Sequence, residues 1–228
     1  AEIRVFSSNA LKTVLQELGP RFEKASEHKI AFTFGTAVGL KGEIEKGAAF
    51  DVAILTAGAV DDLIKQGKMA GARTDVARSA AGMAVRKGAP KPDISTTEAF
   101  KRTLLAANSI AYVEQGGTGI YLKGLLERLG IAEQLKAKIK LLPSTNPAAL
   151  AVANGEAEIG MTQISEILPY AGAELVGPLP AEIQLVTVFS LGVAPASKDA
   201  GATAALIKFL TSPDAAPVFK AKGLDPAS

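Results

Sequence analysis

The chain has 228 residues, of which 48% are hydrophobic and 21% charged, with a formal net charge of +2. It contains no cysteine, which excludes disulfides and thiolate metal sites, and a single histidine, His28, leaves only carboxylates and carbonyls as candidate metal ligands. No dense Lys/Arg tract supplies the clustered positive charge that nucleic acid demands, and no apolar run reaches the roughly 18 residues of a membrane span.

From the N-terminus, Ile3–Phe6 reads as a short buried strand, and Ser7-Ser8-Asn9 follows as a cap for a helix. Leu11, Val14, Leu15, Leu18 and Phe22 recur at helical spacing, and Gly19-Pro20 inside that pattern predicts a kink. Ile30–Phe34 reads as a strand, Gly35–Gly39 as a loop, and a helix runs to Lys46. Phe50–Leu55 is an apolar strand, and Thr56-Ala57-Gly58 leads into a helix to about Gln66. Strands alternating with helices in this way predict a mainly parallel sheet covered by helices on both faces.

Lys87-Gly88-Ala89-Pro90-Lys91-Pro92 breaks the pattern, and a second α/β lobe is expected beyond it. Ser109–Val113 reads as a strand, Gln115–Gly119 as a loop, and Leu122, Leu125, Leu126 and Leu129 as one helix face. Further strands are expected at Ile139–Leu142 and Glu158–Met161, with a helix from Pro147 to Asn154 between them. The apolar run Gln184–Val193 returns the chain to the first lobe, and Gly201–Leu210 and Asp214–Lys222 are helical. The expectation is a two-lobed α/β fold: residues 1–81 plus 189–228 form one lobe, residues 82–188 the other, with a ligand cleft between them.

Several strand-to-helix turns share one chemistry: small, rich in hydroxyl or glycine, and placed where a helix begins. They are Ser7, Ser8 and Asn9; Thr36, Ala37 and Val38; Thr56 and Ala57; and Gly117, Thr118 and Gly119. Helix N-termini expose unpaired N–H groups and carry about half a positive charge, so such turns bind anions without a lysine or arginine at the centre. In an open α/β sheet they gather at the carboxyl ends of the strands. Taken singly, each turn also reads as an ordinary cap or tight turn.

Longer stretches carry a resemblance. Leu40, Ile44, Glu45, Gly47, Ala48 and Asp51, then Gly71 and Arg78-Ser79, then Asn154-Gly155-Glu156-Ala157-Glu158-Ile159-Gly160, and finally Phe209–Ala216 with Lys222-Gly223-Leu224, resemble the molybdate-binding family of periplasmic solute-binding proteins, of the class with two hinge crossovers. The resemblance covers nearly the whole chain and implies the two-lobed periplasmic binding protein type II fold. It further implies capture of a small anion by hinge closure, near Ala80–Met83 and Leu185–Phe189, and delivery to the membrane permease of an ABC importer. A monomer in the periplasm is expected. The start at Ala1-Glu2-Ile3, almost directly on a strand, reads as a mature form without a signal peptide.

The ligand positions depart from the family. Ala10 stands where the usual ligand serine falls, with Ser8 and Asn9 beside it. Thr36 is the one hydroxyl in a loop that is usually serine-rich. Met161-Thr162-Gln163-Ile164-Ser165-Glu166 replaces the segment that carries a ligand tyrosine, which adds Thr162 and Gln163 to the expected site. These changes favour an organic carboxylate, with molybdate or tungstate as the alternative. An effector-sensing module of a regulator is a reading of another class, but no helix-turn-helix motif is present. An enzyme is not expected: there is no Gly-x-Ser-x-Gly elbow, P-loop, Gly-x-Gly-x-x-Gly or cysteine nucleophile. No catalytic residue, cofactor, metal or nucleic-acid partner is assigned. Glu114 and Glu166 are read as surface carboxylates near the cleft, and Tyr112 and Tyr121 as core.

Overall fold

Strand β1 (Glu2–Ser8) sends Ile3 and Val5 into one layer of core and Phe6 into another, the alternation that lets one strand serve two helical layers. The computed structural model describes residues 1–227. In chain order follow α1 (Lys12–Ser26), β2 (Lys29–Gly35), α2 (Ala37–Glu45), β3 (Val52–Thr56), α3 (Ala57–Lys65) and the long strand β4 (Ala70–Arg86). Next come α4 (Thr97–Ala106), β5 (Ile110–Val113), α5 (Gly117–Arg128), α6 (Ala132–Leu135), β6 (Ile139–Leu142), α7 (Ala148–Ala153), β7 (Ile159–Gln163) and β8 (Ala173–Pro178). The chain ends with β9 (Val186–Val193), α8 (Ala200–Leu210), α9 (Ala216–Ala221) and β10 (Asp225–Pro226).

The chain divides into two compact units, Ala80–Val186 and the remainder, Ala1–Ser79 with the segment from Thr187 onward. In the unit that holds the N-terminus, β2, β1 and β3 run parallel, and β9 pairs antiparallel with β3 from Val52↔Val193 to Thr56↔Phe189. Val52 and Ile54 join Leu11, Val14, Leu15, Leu18 and Phe22 of the α1 region and Leu206 and Leu210 of α8 in one core layer. Ala53 and Leu55 point the other way, into Leu40 and Ile44 of α2 and Val60 and Leu63 of α3. Each fully buried Leu or Ile contributes about 1.5–3 kcal/mol, so both layers are substantial.

At the amino ends of these parallel strands Arg4 and Asp51 lock β1 to β3. The Arg4 amide donates to Asp51 Oδ2 at 2.8 Å, and its Nε and Nη2 reach the two carboxylate oxygens at 3.1 and 3.2 Å. The guanidinium bond holds the Asp51 carboxyl below its ordinary range, against the opposing effect of burial. This motif aspartate is therefore scaffold.

In the second unit, β6, β5 and β7 are parallel, β4 pairs antiparallel with β7, and β8 pairs antiparallel with β4. Ile110 and Tyr112 of β5 face a core built with Phe100 and Leu104 of α4 and Leu122, Leu125 and Leu126 of α5. Ala111 faces the opposite layer, with Ala148, Ala151 and Val152 of α7. Tyr121 donates its hydroxyl to the Ile183 carbonyl at 2.6 Å and stacks under Arg128, which makes it a structural tyrosine of this unit.

Several expectations need correction. Helix α1 runs unbroken through Gly19-Pro20. Gly19 has no Cβ because one would come within 3.0 Å of the Phe32 ring, so the glycine serves packing. Strand β4 is far longer than the crossover expected near Ala80–Met83, and α4, α6, β8 and β10 were not anticipated. His28 is half-buried and stacked on Phe22 at 6.2 Å between ring centres.

Candidate functional site

Because β1, β2 and β3 are parallel, the turns that follow them share one edge of their sheet. Ser7 is fully buried and donates its hydroxyl to the Ser8 carbonyl at 3.1 Å, so it shapes the turn. Ser8, not Asn9, caps the short 3-10 helix Asn9–Leu11: its Oγ accepts from the Ala10 amide at 3.3 Å and keeps its own proton to donate. Asn9 is exposed, while Ala10, at the position of the family's serine, is buried.

Thr36 caps α2 by accepting from the Gly39 amide at 3.0 Å, which leaves the first-turn amides of Ala37 and Val38 as donors without intrahelical partners. Val38 itself is 75% exposed, a large apolar side chain standing at this edge. Thr56 is the N-cap of α3 but makes no cap bond, so its hydroxyl is not spent on its own helix. Ala57 follows it at the first helical position.

The second unit repeats the arrangement at the carboxyl ends of β6, β5 and β7. Gly117, Thr118 and Gly119 form the first turn of α5, whose N-cap, Gly116, has no side chain to satisfy them. Thr118 is buried among neighbours at 9% exposure. Gly119 has a strict packing reason: a Cβ there would lie 1.8 Å from the Val113 carbonyl oxygen. The absence of that carbon lets α5 start directly over the end of β5.

Beyond β7, Thr162 and Gln163 end the strand and Ile164–Glu166 form a 3-10 turn. Thr162 Oγ1 donates to Glu166 Oε2 at 3.3 Å. Burial pushes the Glu166 carboxyl up from its ordinary range, and the Thr162 bond only partly opposes this. Glu166 is therefore half-buried rather than a free surface carboxylate. Next to it, the buried Ser165 Oγ has no hydrogen-bond partner among the described residues. Tyr112, behind this edge, is raised by burial and by the charge of Glu114.

None of the turns on either edge carries a lysine or arginine: they offer amides, hydroxyls and the carboxyls of the exposed Glu114 and the half-buried Glu166. Ser165 was missed because a serine between Ile164 and Glu166 has no signature in sequence; only its burial without a partner marks it. The loop after β6, with Ser144, Thr145 and Asn146, shares the second edge and was also unread, although Asn146 is engaged with Glu156 at 3.0 Å. No group of His, Asp and Glu able to hold a metal ion occurs among the described residues. A cleft at the opposite edge of the first sheet is lined by Glu2, Arg4, Asp51, Lys198 and Asp199, charges of both signs.

Residues 3–225 match the family of bacterial extracellular solute-binding proteins. The chain belongs to that family. Among its relatives, this solute-binding protein is 34% identical to the aconitate isomerase of a Pseudomonas species, over 98% of this chain and 87% of that one. It is 26% identical to the molybdate-binding protein ModA of Azotobacter vinelandii, over 98% of this chain and 89% of that one. The solved periplasmic molybdate-binding protein of Azotobacter vinelandii superposes with a TM-score of 0.76 at 21% identity, covering 97% of this chain and 98% of that one. The solute-binding protein thus has the α/β fold of the periplasmic binding proteins and is of the molybdate-binding type in its scaffold. The expected resemblance and fold class hold. No helix is long and apolar enough to cross a membrane among the described residues.

Proposed function

We infer that this solute-binding protein captures a small organic polycarboxylate outside the cytoplasm, in the periplasm, and hands it to an ABC importer permease. The observation that carries this reading is the donor set of each unit: hydroxyls of Ser8 and Thr56 with helix-start amides in one, the hydroxyl of Thr118 with helix-start amides and the half-buried Glu166 in the other, and no cationic side chain on these turns. A tetrahedral oxyanion asks for donors converging on one point, whereas separate turns suit carboxylates spaced along a carbon chain. An ionised Glu166 repels a compact dianion held close to it more than carboxylates spaced away from it along a carbon chain. Capture proceeds by hinge closure of a monomer, with Ser7, Asn9, Thr36, Ala37, Val38, Ala57, Gly117, Gly119, Thr162 and Gln163 framing the ligand.

The test is a thermal-shift series with citrate, cis-aconitate, trans-aconitate, molybdate, tungstate and sulfate. A ligand at about a thousand times its Kd stabilises by roughly 4 kcal/mol, a shift on the order of 8–16 °C for a chain of this length. Shifts confined to the carboxylates support the reading. A shift confined to molybdate and tungstate replaces it with oxyanion capture.

A second reading, isomerisation of the captured acid, is favoured by a specific observation: the 34% identity over 98% of the chain to a protein named aconitate isomerase. Proton NMR of either aconitate incubated with the protein distinguishes turnover from simple capture.

A further inference from the structure

Glu166 makes poor sense as a scaffold residue. It ends the 3-10 turn after β7, has no ion-pair partner among the described residues, and is held by one neutral hydrogen bond, from Thr162 at 3.3 Å. Glu166 is half-buried, and a carboxyl drawn out of water without a cation costs stability that a glutamine at the same place would not. Beside it, the Ser165 hydroxyl is buried at 3% exposure with no partner, a second polar group that folding alone leaves unpaid. Both sit on the edge where parallel β5 delivers the N-terminus of α5, with the amides of Gly117 and Thr118 unpaired within the helix. One edge of a single unit therefore combines a group able to move a proton with donors able to hold a developing negative charge.

Resting on the carboxylate reading above, we propose that Glu166 is the proton carrier in an allylic shift on a bound unsaturated polycarboxylate. The Glu166 carboxylate takes a proton from a CH2 group that lies between a carboxylate and a carbon–carbon double bond. The electron pair of that C–H bond becomes the new double bond, and the pair of the old one moves to the far carbon, its charge spread onto the carboxylate attached there. The helix-start amides of α5 stabilise that charge. Glu166 then returns the proton to the far carbon. One C–H bond breaks, one forms, and the double bond moves by one position; no electrons are gained or lost, and no co-reactant is consumed. Desolvation raises the affinity of Glu166 for its proton, which makes it a stronger base than a carboxylate in water.

The experiment uses the full chain with cis- and trans-aconitate in D2O, read by proton NMR for isomerisation and for deuterium entering the CH2 position, with calorimetry for binding. Wild type is expected to bind, isomerise and exchange. Glu166→Gln is expected to bind within about threefold of wild type and to lose isomerisation and exchange by about 100-fold or more. A loss smaller than about tenfold in E166Q overturns the proposal while leaving isomerisation itself standing. Binding by wild type with neither isomerisation nor exchange overturns the proposal and leaves the capture reading intact. Absence of binding to either aconitate overturns both. If E166Q fails to fold, Glu166→Asp decides: the carboxylate is withdrawn by one CH2, so binding is expected to persist with isomerisation down about tenfold or more, and an unchanged rate overturns the assignment.

Discussion

Gly119 gives the sharpest test of how the second edge is built. An added methyl would lie 1.8 Å from the Val113 carbonyl oxygen and 3.0 Å from its carbon, both backbone atoms that no rotamer change can move. Restoring an ordinary carbon–oxygen contact of about 3.3 Å requires the start of α5 to retreat by roughly 1.5 Å. Overpacking of this kind costs about 1–3 kcal/mol, and alanine's better helix propensity returns about 0.5–1 kcal/mol. The net expectation for Gly119→Ala is a loss of about 1 kcal/mol, or about 2–4 °C in Tm for a chain of this size. Gly117, two residues earlier in the same turn, has nothing within 4 Å of its would-be Cβ, so Gly117→Ala adds the same methyl without the clash. Its Tm should equal or exceed wild type, by up to about 1–4 °C. Calorimetry with trans-aconitate should then show G119A weakened at least about tenfold, because the helix-start donors act only over their first turn. If G119A melts and binds like G117A, the close seating of α5 on β5 is not what presents those donors, and the reasoning fails.

Thr56→Val and Thr118→Val each remove a hydroxyl that no cap bond uses; each should weaken carboxylate binding by about 1.5–3 kcal/mol in calorimetry, with Tm little changed. Ser165→Ala removes a buried hydroxyl without a partner, so the free protein should be as stable as wild type or up to about 1 kcal/mol more stable in urea melts, while ligand affinity falls. Asp51 is held ionised by Arg4, so its stabilisation is present above the ordinary carboxylate pKa and is lost as pH falls through its depressed value. Asp51→Asn should therefore be less stable at neutral pH and show a flatter loss below about pH 4 in acid melts. Glu166 has the opposite sign: its raised pKa gives stability that is full below the unfolded value near 4.3 and lost as pH rises toward the folded one. The Tm of E166Q should thus overtake wild type as pH is raised from about 4 to neutrality.

The α/β order was legible because its signals are local: Val14, Leu15 and Leu18 repeat at helical spacing, and Val52–Leu55 is apolar throughout for a strand buried on both faces. Strand β4 was not legible, since Ala70–Ala80 is polar and small, and its strand state comes from pairing with neighbours rather than from its own pattern. Helix α4 could have been read from Phe100 and Leu104 behind the cap Thr96, which accepts from Ala99 at 3.1 Å. At the site, residue types were visible but their commitments were not. Ser7, Ser8 and Thr56 look alike in sequence, yet one hydroxyl is bonded to a carbonyl, one accepts from an amide and one caps nothing. Glu166 looked like any charged turn residue because burial is a tertiary property that a neighbour such as Ile164 does not announce.

The amide-lined edges have a consequence for how such a molecule diverges. Recognition is carried mostly by main-chain groups that every sequence supplies, while Ser8, Thr56, Thr118 and the Ile164–Glu166 turn are small additions at the rim. None of these side chains belongs to the apolar core layers. A descendant can exchange cargo through one or two codon changes and keep the packing that defines its lineage. Overall identity then tracks ancestry of the frame, and kinship of substrate has to be judged from a handful of rim positions.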